Sequence, residues 1–258
     1  GSSNVDRVSS PAGEAVVFPT CLVEQLRPEL ARACEALVAA ADGSIPGTAH
    51  GGACCGQPAW NAGFTAAARR VAGATVRTLR RTSGPIVVPS GSCATMMQRH
   101  WPEVFAGTSH EAAARAVAGR VVELATYLDA RSSHDAAPPA AASTVTVHDS
   151  CHGLRELGVK AQPRRLLAAR GVEVVESEGA ERCCGFGGTF CVKLPAVSVA
   201  MADDRLDEWT ASGVQTVVGG DLSCLVHLEG RARRRALPLR FRHLAEVLRP
   251  ASDATARP

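Results

Sequence analysis

The feature that most constrains this chain is a four-cysteine pattern that occurs twice: Cys21, the adjacent Cys54 and Cys55, and Cys93, then Cys151, the adjacent Cys183 and Cys184, and Cys224. The spacings are C-x32-CC-x37-C and C-x31-CC-x39-C, and equivalent cysteines lie 130 (151 − 21), 129 (183 − 54) and 131 (224 − 93) residues apart. That regularity is an internal duplication, so the 258 residues divide into two units, expected at 14–130 and 144–250. The alanine-, serine- and proline-rich stretch RSSHDAAPPAAAS at 131–143 reads as the exposed linker between them.

Composition narrows the function classes. Hydrophobic residues make up 46% of the chain, yet no apolar run approaches the roughly 18 residues that a membrane-spanning helix needs. The net charge of +3, from 28 basic and 25 acidic residues, is too mild for a nucleic-acid binder, which has to neutralise many phosphates on one face. The one dense basic string, RARRR at 231–235, reads as a solvated helix end. No signal-peptide pattern precedes the cysteines, and adjacent cysteines are awkward disulfide partners for each other; a reducing cytoplasm is expected, where thiols stay available as ligands.

Strand-like and helix-like segments alternate in both halves. Residues 15–20, 85–90, 144–150, 172–177 and 216–220 read as buried strands, and 24–41, 61–81, 110–129, 162–170 and 195–211 as helices. The expected fold class is therefore α/β: two duplicated domains, each a mainly parallel sheet flanked by helices, with the cysteines at the C-terminal ends of the strands. Gly56 and Gly185 follow the cysteine pairs directly and allow the sharp turn that two consecutive side chains need to face one centre. Such a turn also lays amide N–H groups toward the sulfurs.

Four thiolates per half suit an iron-sulfur cluster, and zinc is the alternative occupant. Zinc ligands usually arrive as close C-x2-C pairs, which this chain lacks; the ferredoxin run C-x2-C-x2-C-x3-C-P is also absent. Of the remaining cysteines, Cys34 inside a predicted helix reads as a buried structural residue, and Cys191 in CCGFGGTFC as structural or as a further thiol or ligand near the second site. His148, Asp149 and His152 surround Cys151 and are placed for proton handling or for tuning the centre, with strand-end capping as the plain alternative. Arg155 and Lys193 are candidates for holding a carboxylate. With His148, His152 and Lys193 as candidate catalytic residues, the second half is expected to be the more chemically active one.

The strings PTC at 19–21, CCGQPAWNAG at 54–63, PSGSC at 89–93, HDSCHGLRELG at 148–158, CCGFGGTFCVK at 183–193, DLSC at 221–224 and HLAEVL at 243–248 resemble, in order and spacing, the cysteine-rich CCG family. That family includes the B subunit of heterodisulfide reductase, iron-sulfur subunits of glycolate oxidase and anaerobic glycerol-3-phosphate dehydrogenase, and the lactate utilization A subunits, which these strings resemble most. The resemblance implies that all eight repeat cysteines are ligands of [4Fe-4S] clusters, up to one per half, and that the chain works with a ferredoxin-like B subunit and a C subunit in oxidising L-lactate to pyruvate. In the heterodisulfide reductase branch the last element is C-x2-C, which supplies a fifth cysteine to a noncubane cluster. Here Ser90 and Asp221 occupy that extra position, leaving a noncubane cluster, a cubane or zinc open. Cluster-based disulfide reduction and a zinc-stabilised assembly module are the competing functions.

Overall fold

Two four-stranded, all-parallel sheets with the same strand order organise the chain. The computed structural model describes residues 13–49, 54–132 and 144–249, so the linker expected at 131–143 lies outside the described residues except for Arg131 and Ser132. The first half runs β1 (Val16–Val17), α1 (Cys21–Leu26), α2 (Pro28–Asp42), β2 (Gly47–Thr48), α3 (Gln57–Asn61), α4 (Thr65–Leu79), β3 (Ile86–Val88), α5 (Gly91–Thr95), a π-helical turn (Met96–His100), α6 (Trp101–Val104), α7 (Glu111–Ala118), β4 (Val121–Glu123) and α8 (Leu124–Asp129). The second runs β5 (Thr144–His148), α9 (Cys151–Leu157), α10 (Ala161–Ala168), β6 (Glu173–Val174), α11 (Phe190–Lys193), α12 (Pro195–Ser212), β7 (Thr216–Gly219), α13 (Leu222–Arg234), β8 (Arg240–His243) and α14 (Leu244–Leu248). The orders β2-β1-β3-β4 and β6-β5-β7-β8 match strand for strand, as a duplication requires.

Strand alternation sends neighbouring side chains to different layers. Val17, Val87, Val145, Val147 and Val218 point into one core that both halves share, built with α2, α8, α10 and α14. Val16, Phe18, Ile86 and Val88 point the other way, into a core under α4 that includes Cys55. In the second half Val217 does the same, under α12, in a core that includes Cys184 and Cys224. Each fully buried valine or leucine stabilises the fold by about 1.5–3 kcal/mol, and these three layers hold most of them.

Several sequence expectations need correction. The helix read over 24–41 is two helices, because Arg27 leaves helical geometry and Pro28 opens α2 without an amide to donate. The helix read over 110–129 is α7, then β4, then α8; three residues of strand, VVE, pass straight into the next helix. β8 lies in the same place in the second half, ahead of α14. The RARRR string does end a helix, α13, with Arg233 and Arg234 exposed, while Arg231 and Arg235 make surface pairs with Asp203 of α12 at 2.7 and 3.0 Å. Cys34 is fully buried in the shared core.

Candidate metal centres

In each half the strands deliver three chain segments to one edge, and the thiols sit just beyond it. Cys21 opens α1 and Cys151 opens α9, while Cys93 and Cys224 lie in the first turns of α5 and α13. The cysteine pairs sit in the loops ahead of α3 and α11. There Gly56 and Gly185 turn the backbone at φ 86° and φ 87°. A Cβ would lie tightly against the Ala68 carbonyl at Gly56, 3.0 Å away, and would clash with the Ser198 carbonyl at Gly185, 2.6 Å away. The turn aims the Gly56 amide at Cys54 Sγ and the Gly185 amide at Cys183 Sγ, both at 3.4 Å, and the Phe186 amide at Cys184 Sγ at 3.5 Å.

The thiols form two chains of contacts in the same order. In the first half Cys21 meets Cys54, Cys54 meets Cys55, and Cys55 lies 3.3 Å from Cys93. In the second, Cys151 lies 4.0 Å from Cys183, Cys183 meets Cys184, and Cys184 meets Cys224. Hydrogen bonds from Cys21 and Cys55, with help from the Gly56 amide, pull the Cys54 thiol down to about 3. Those from Cys151 and Cys184 do the same for Cys183, down to about 2. The neighbours pay in the opposite direction: hydrogen bonding to Cys54 and then burial push Cys21 up, and hydrogen bonding to Cys183 and then burial push Cys151 up. Cys55 and Cys184 are raised likewise, by their thiol neighbours and then by burial.

One readily formed thiolate per half, surrounded by thiols that resist ionising beside it, is the donor set a cationic centre completes. Bound metal compensates the charge and lets the remaining thiols lose their protons. The residues present therefore fit a thiolate-held metal or cluster in each half. A pocket of about 120 Å³ opens against the four thiols of the first half, and Phe186, Asp221, Leu222 and Ser223 of the second half close it.

Ser90 and Asp221 line that pocket beside the thiols, and both also carry structural hydrogen bonds. They face each other in an antiparallel bridge across the two halves. Ser90 caps α5 by accepting from the Cys93 amide. Asp221 caps α13: Oδ1 accepts from the Ser223 amide and hydroxyl at 3.2 and 2.6 Å, and Oδ2 accepts from the Ser92 amide of the other half at 2.8 Å.

The candidate catalytic residues divide. His148, at the end of β5, is 2% exposed, and one of its ring nitrogens with the sulfurs of Cys184 and Cys224 forms a group whose ligand atoms lie within 4.8 Å of one another. Burial first, then the charge of Arg205, holds its imidazole down to about 4. His152 places Nδ1 3.6 Å from Cys151 Sγ and its other nitrogen 3.8 Å from Glu156. Asp149 is occupied by a two-point pair with Arg164, both contacts at 2.9 Å. Arg155 donates to the Glu181 backbone carbonyl. Lys193 is exposed on α11, its ammonium 5.7 Å from the centre of the Phe64 ring, and is not part of the His148 group. Cys191 donates to the Gly188 carbonyl at 3.1 Å.

Two residues near the second centre escaped sequence reasoning. His227 lies one helical turn after Cys224 on α13, with Nε2 3.3 Å from Ser198 Oγ, which itself donates to the Gly185 carbonyl. The i, i+3 spacing from Cys224 was its signal. Arg205 is a fully buried guanidinium on α12, 4.4 Å from the Trp209 ring centre and bonded to Ser177 and Glu208. Nothing in an arginine-rich sequence marked it out.

Comparison with known proteins agrees with this geometry. The cysteine-rich CCG domain matches residues 15–98 and again 145–229, and the two matches contain all eight repeat cysteines. Lactate utilization protein A of Geobacillus sp. (strain WCH70) is 38% identical over 198 residues, covering 76% of this chain and 82% of that protein. The chain belongs to the lactate utilization protein A family. Other members cover it more fully: that of Anoxybacillus flavithermus is 36% identical over 90% of this chain and 97% of its own length, and that of Exiguobacterium sp. is 35% identical over 90% and 95%. Among the described residues, no helix is long and apolar enough to cross a membrane.

Proposed function

We propose that this chain is the iron-sulfur subunit of a cytoplasmic complex that oxidises L-lactate to pyruvate. The observation that carries the proposal is the gathering of eight thiols, from six separate chain segments, into two groups of four with the same contact order. Cys21, Cys54, Cys55 and Cys93 would hold one centre, and Cys151, Cys183, Cys184 and Cys224 the other. The same reading divides the chain into units 14–130 and 144–250 with a linker at 131–143. When bound, an iron-sulfur cluster supplies a site that takes up and releases single electrons.

The chain's own residues supply the rest. The loop amides of Gly56, Gly185 and Phe186 point at sulfur and stabilise negative charge there. Burial of Cys184 and Cys224 keeps water from two of the four thiols in the second unit, and burial of Cys55 from one of the four in the first. His152, against Cys151 and in contact with Glu156, is placed to hold or pass a proton beside the second centre. A ferredoxin-like B subunit and a C subunit are the proposed partners, because a chain devoted to two thiol sites needs other subunits to complete electron delivery.

Anaerobic purification with iron, zinc and acid-labile sulfide analysis tests the proposal. Iron and sulfide in comparable amounts, with a redox-active brown protein, are expected; stoichiometric zinc without sulfide means a structural zinc module instead. Thiol or heterodisulfide turnover by the isolated protein, independent of lactate and the partner subunits, points to cluster-based disulfide reduction.

A further inference from the structure

We infer that His148 is a protein ligand of the second centre, so that the two halves hold their metals with unlike donor sets: thiolates alone in the first, thiolates and an imidazole in the second. The inference rests on the reading of each half as a metal centre and adds which side chains hold the second one.

The placement is specific. His148 ends β5, three residues before Cys151, and its ring turns to the outer layer that contains Cys184 and Cys224. Its ligand atom and both sulfurs lie within 4.8 Å of one another, and among the described residues this is the group of three donors brought that close. The ring packs edge-on against Trp209, centroids 5.9 Å apart, which fixes its direction.

Two further observations separate a ligand from a packing residue. Neither Nδ1 nor Nε2 of His148 has a hydrogen-bond partner, although the residue is 2% exposed. Leaving a buried polar group unpaired costs about 1–3 kcal/mol, and nearly all such groups find a partner. The fold itself does not require an imidazole here. The equivalent residue of the first half, 130 positions earlier (148 − 130), is Phe18, 1% exposed in the layer that contains Cys55. A phenyl ring satisfies the same backbone position where no nitrogen is needed. Asp221, the nearby oxygen donor, has both oxygens committed to amides and a hydroxyl.

A neutral imidazole adds no negative charge to a centre, whereas a fifth thiolate at the same place would add one. Histidine in place of cysteine raises the reduction potential of iron-sulfur centres, so the second centre holds an electron more tightly than a version of itself with cysteine at position 148.

The test is pulsed EPR on the whole chain, produced with ¹⁵N-histidine, purified anaerobically and loaded with iron and sulfide. A nitrogen coupling of the size given by a directly bound imidazole is expected in the wild type, retained in His152→Ala and His227→Ala, and lost in His148→Phe, which copies the first half. No such coupling in the wild type, or one that survives His148→Phe, overturns the inference. Should His148→Phe not fold, loss of the coupling in His152→Ala or His227→Ala overturns it instead, and its retention in both supports it. Absence of acid-labile sulfide defeats the iron-sulfur reading separately. In that event, or if the loaded protein is EPR-silent, Co²⁺ alone is titrated into a Cys55→Ser background: visible bands that shift between His148 and His148→Phe or His148→Cys support the inference, and identical bands overturn it.

Discussion

The two halves share a topology and a thiol order but differ in what stands behind the thiols. Adding 130 to Ala68, Ala72, Thr75, Val76 and Leu79, five of the six buried positions of α4, gives Ser198, Ala202, Arg205, Leu206 and Trp209, the buried positions of α12; only Gly73 has no buried counterpart. Thus Thr75, whose hydroxyl donates to the Cys54 carbonyl, is matched by the buried guanidinium of Arg205, as Phe18 is matched by His148. A duplicated scaffold keeps its ligand positions because they are fixed by strand ends and glycine turns. The layer behind them is free to diverge, and here one half carries Phe18 and Thr75 where the other carries an imidazole and a guanidinium.

The largest expected effect tests whether the halves are independent centres. Cys55→Ser and Cys184→Ser should each remove about half of the bound iron and sulfide, read by chemical analysis after anaerobic purification. Loss of nearly all metal in either variant would mean one shared centre and would break the comparison.

The next contrast concerns pH. The residues that end β4 and β8 and cap the following helices are Glu123 and His243, both buried. Burial first raises the Glu123 carboxyl from 4.5 to about 7, against hydrogen bonds from the Ala125 and Thr126 amides and the Thr126 hydroxyl, with Asp221 adding to the rise. Burial lowers His243 from 6.5 to about 4, against its bonds to the Pro89 and Gly220 backbone and the nearby Asp221, with Arg27 adding to the fall. Glu123 therefore contributes stability that is complete below pH 4.5 and is lost as pH rises through 7. His243 contributes stability that is complete above pH 6.5 and is lost as pH falls through 4. Each swing is about 3 kcal/mol. Between pH 4.5 and 6.5 the two slopes oppose each other, so relative to wild type the urea midpoint should climb with pH across that window in Glu123→Gln and drop with pH in His243→Asn; curves parallel to wild type in both variants rule the assignment out.

Smaller effects sharpen the contrast between the turns and between the caps. Gly185→Ala should cost about 2–3 kcal/mol, from left-handed strain plus a clash with the Ser198 carbonyl. Gly56→Ala, whose Cβ has 0.4 Å more room (3.0 − 2.6), should cost less, and equal losses in thermal melts would remove the distinction. Asp221→Ala gives up three hydrogen bonds and should cost about 2 kcal/mol, against about 1 for Ser90→Ala, which gives up a helix cap and a hydroxyl contact with Ser92.

The sequence carries the parts of this structure that depend on local rules. Alternation of β-branched runs with alanine-rich helices showed the parallel α/β halves, and glycine after each cysteine pair showed the turns. β4 and β8 were illegible because three and four residues that flow directly into helices have no period of their own. The break before Pro28 was visible in principle, since proline opens helices readily, but the apolar spacing of Leu26 and Leu30 spans it. At the site, His148 and His152 could be named from their closeness to Cys151. That the first points at Cys184 and Cys224 while Lys193 stays at the surface depends on long-range packing. The contact between Ser90 and Asp221 joins residues 131 positions apart (221 − 90), and no local pattern announces it.

That contact has a consequence for symmetry. Ser90 and Asp221 are equivalent positions of the repeat, so their meeting marks the axis that relates one half to the other. In a homodimer of identical units, the residue on such an axis must face its own copy and be complementary to itself. Aspartate there would face aspartate. Covalent fusion lifts that demand, allowing a carboxylate on one side to meet a hydroxyl-bearing residue on the other and to reach the amide beyond it.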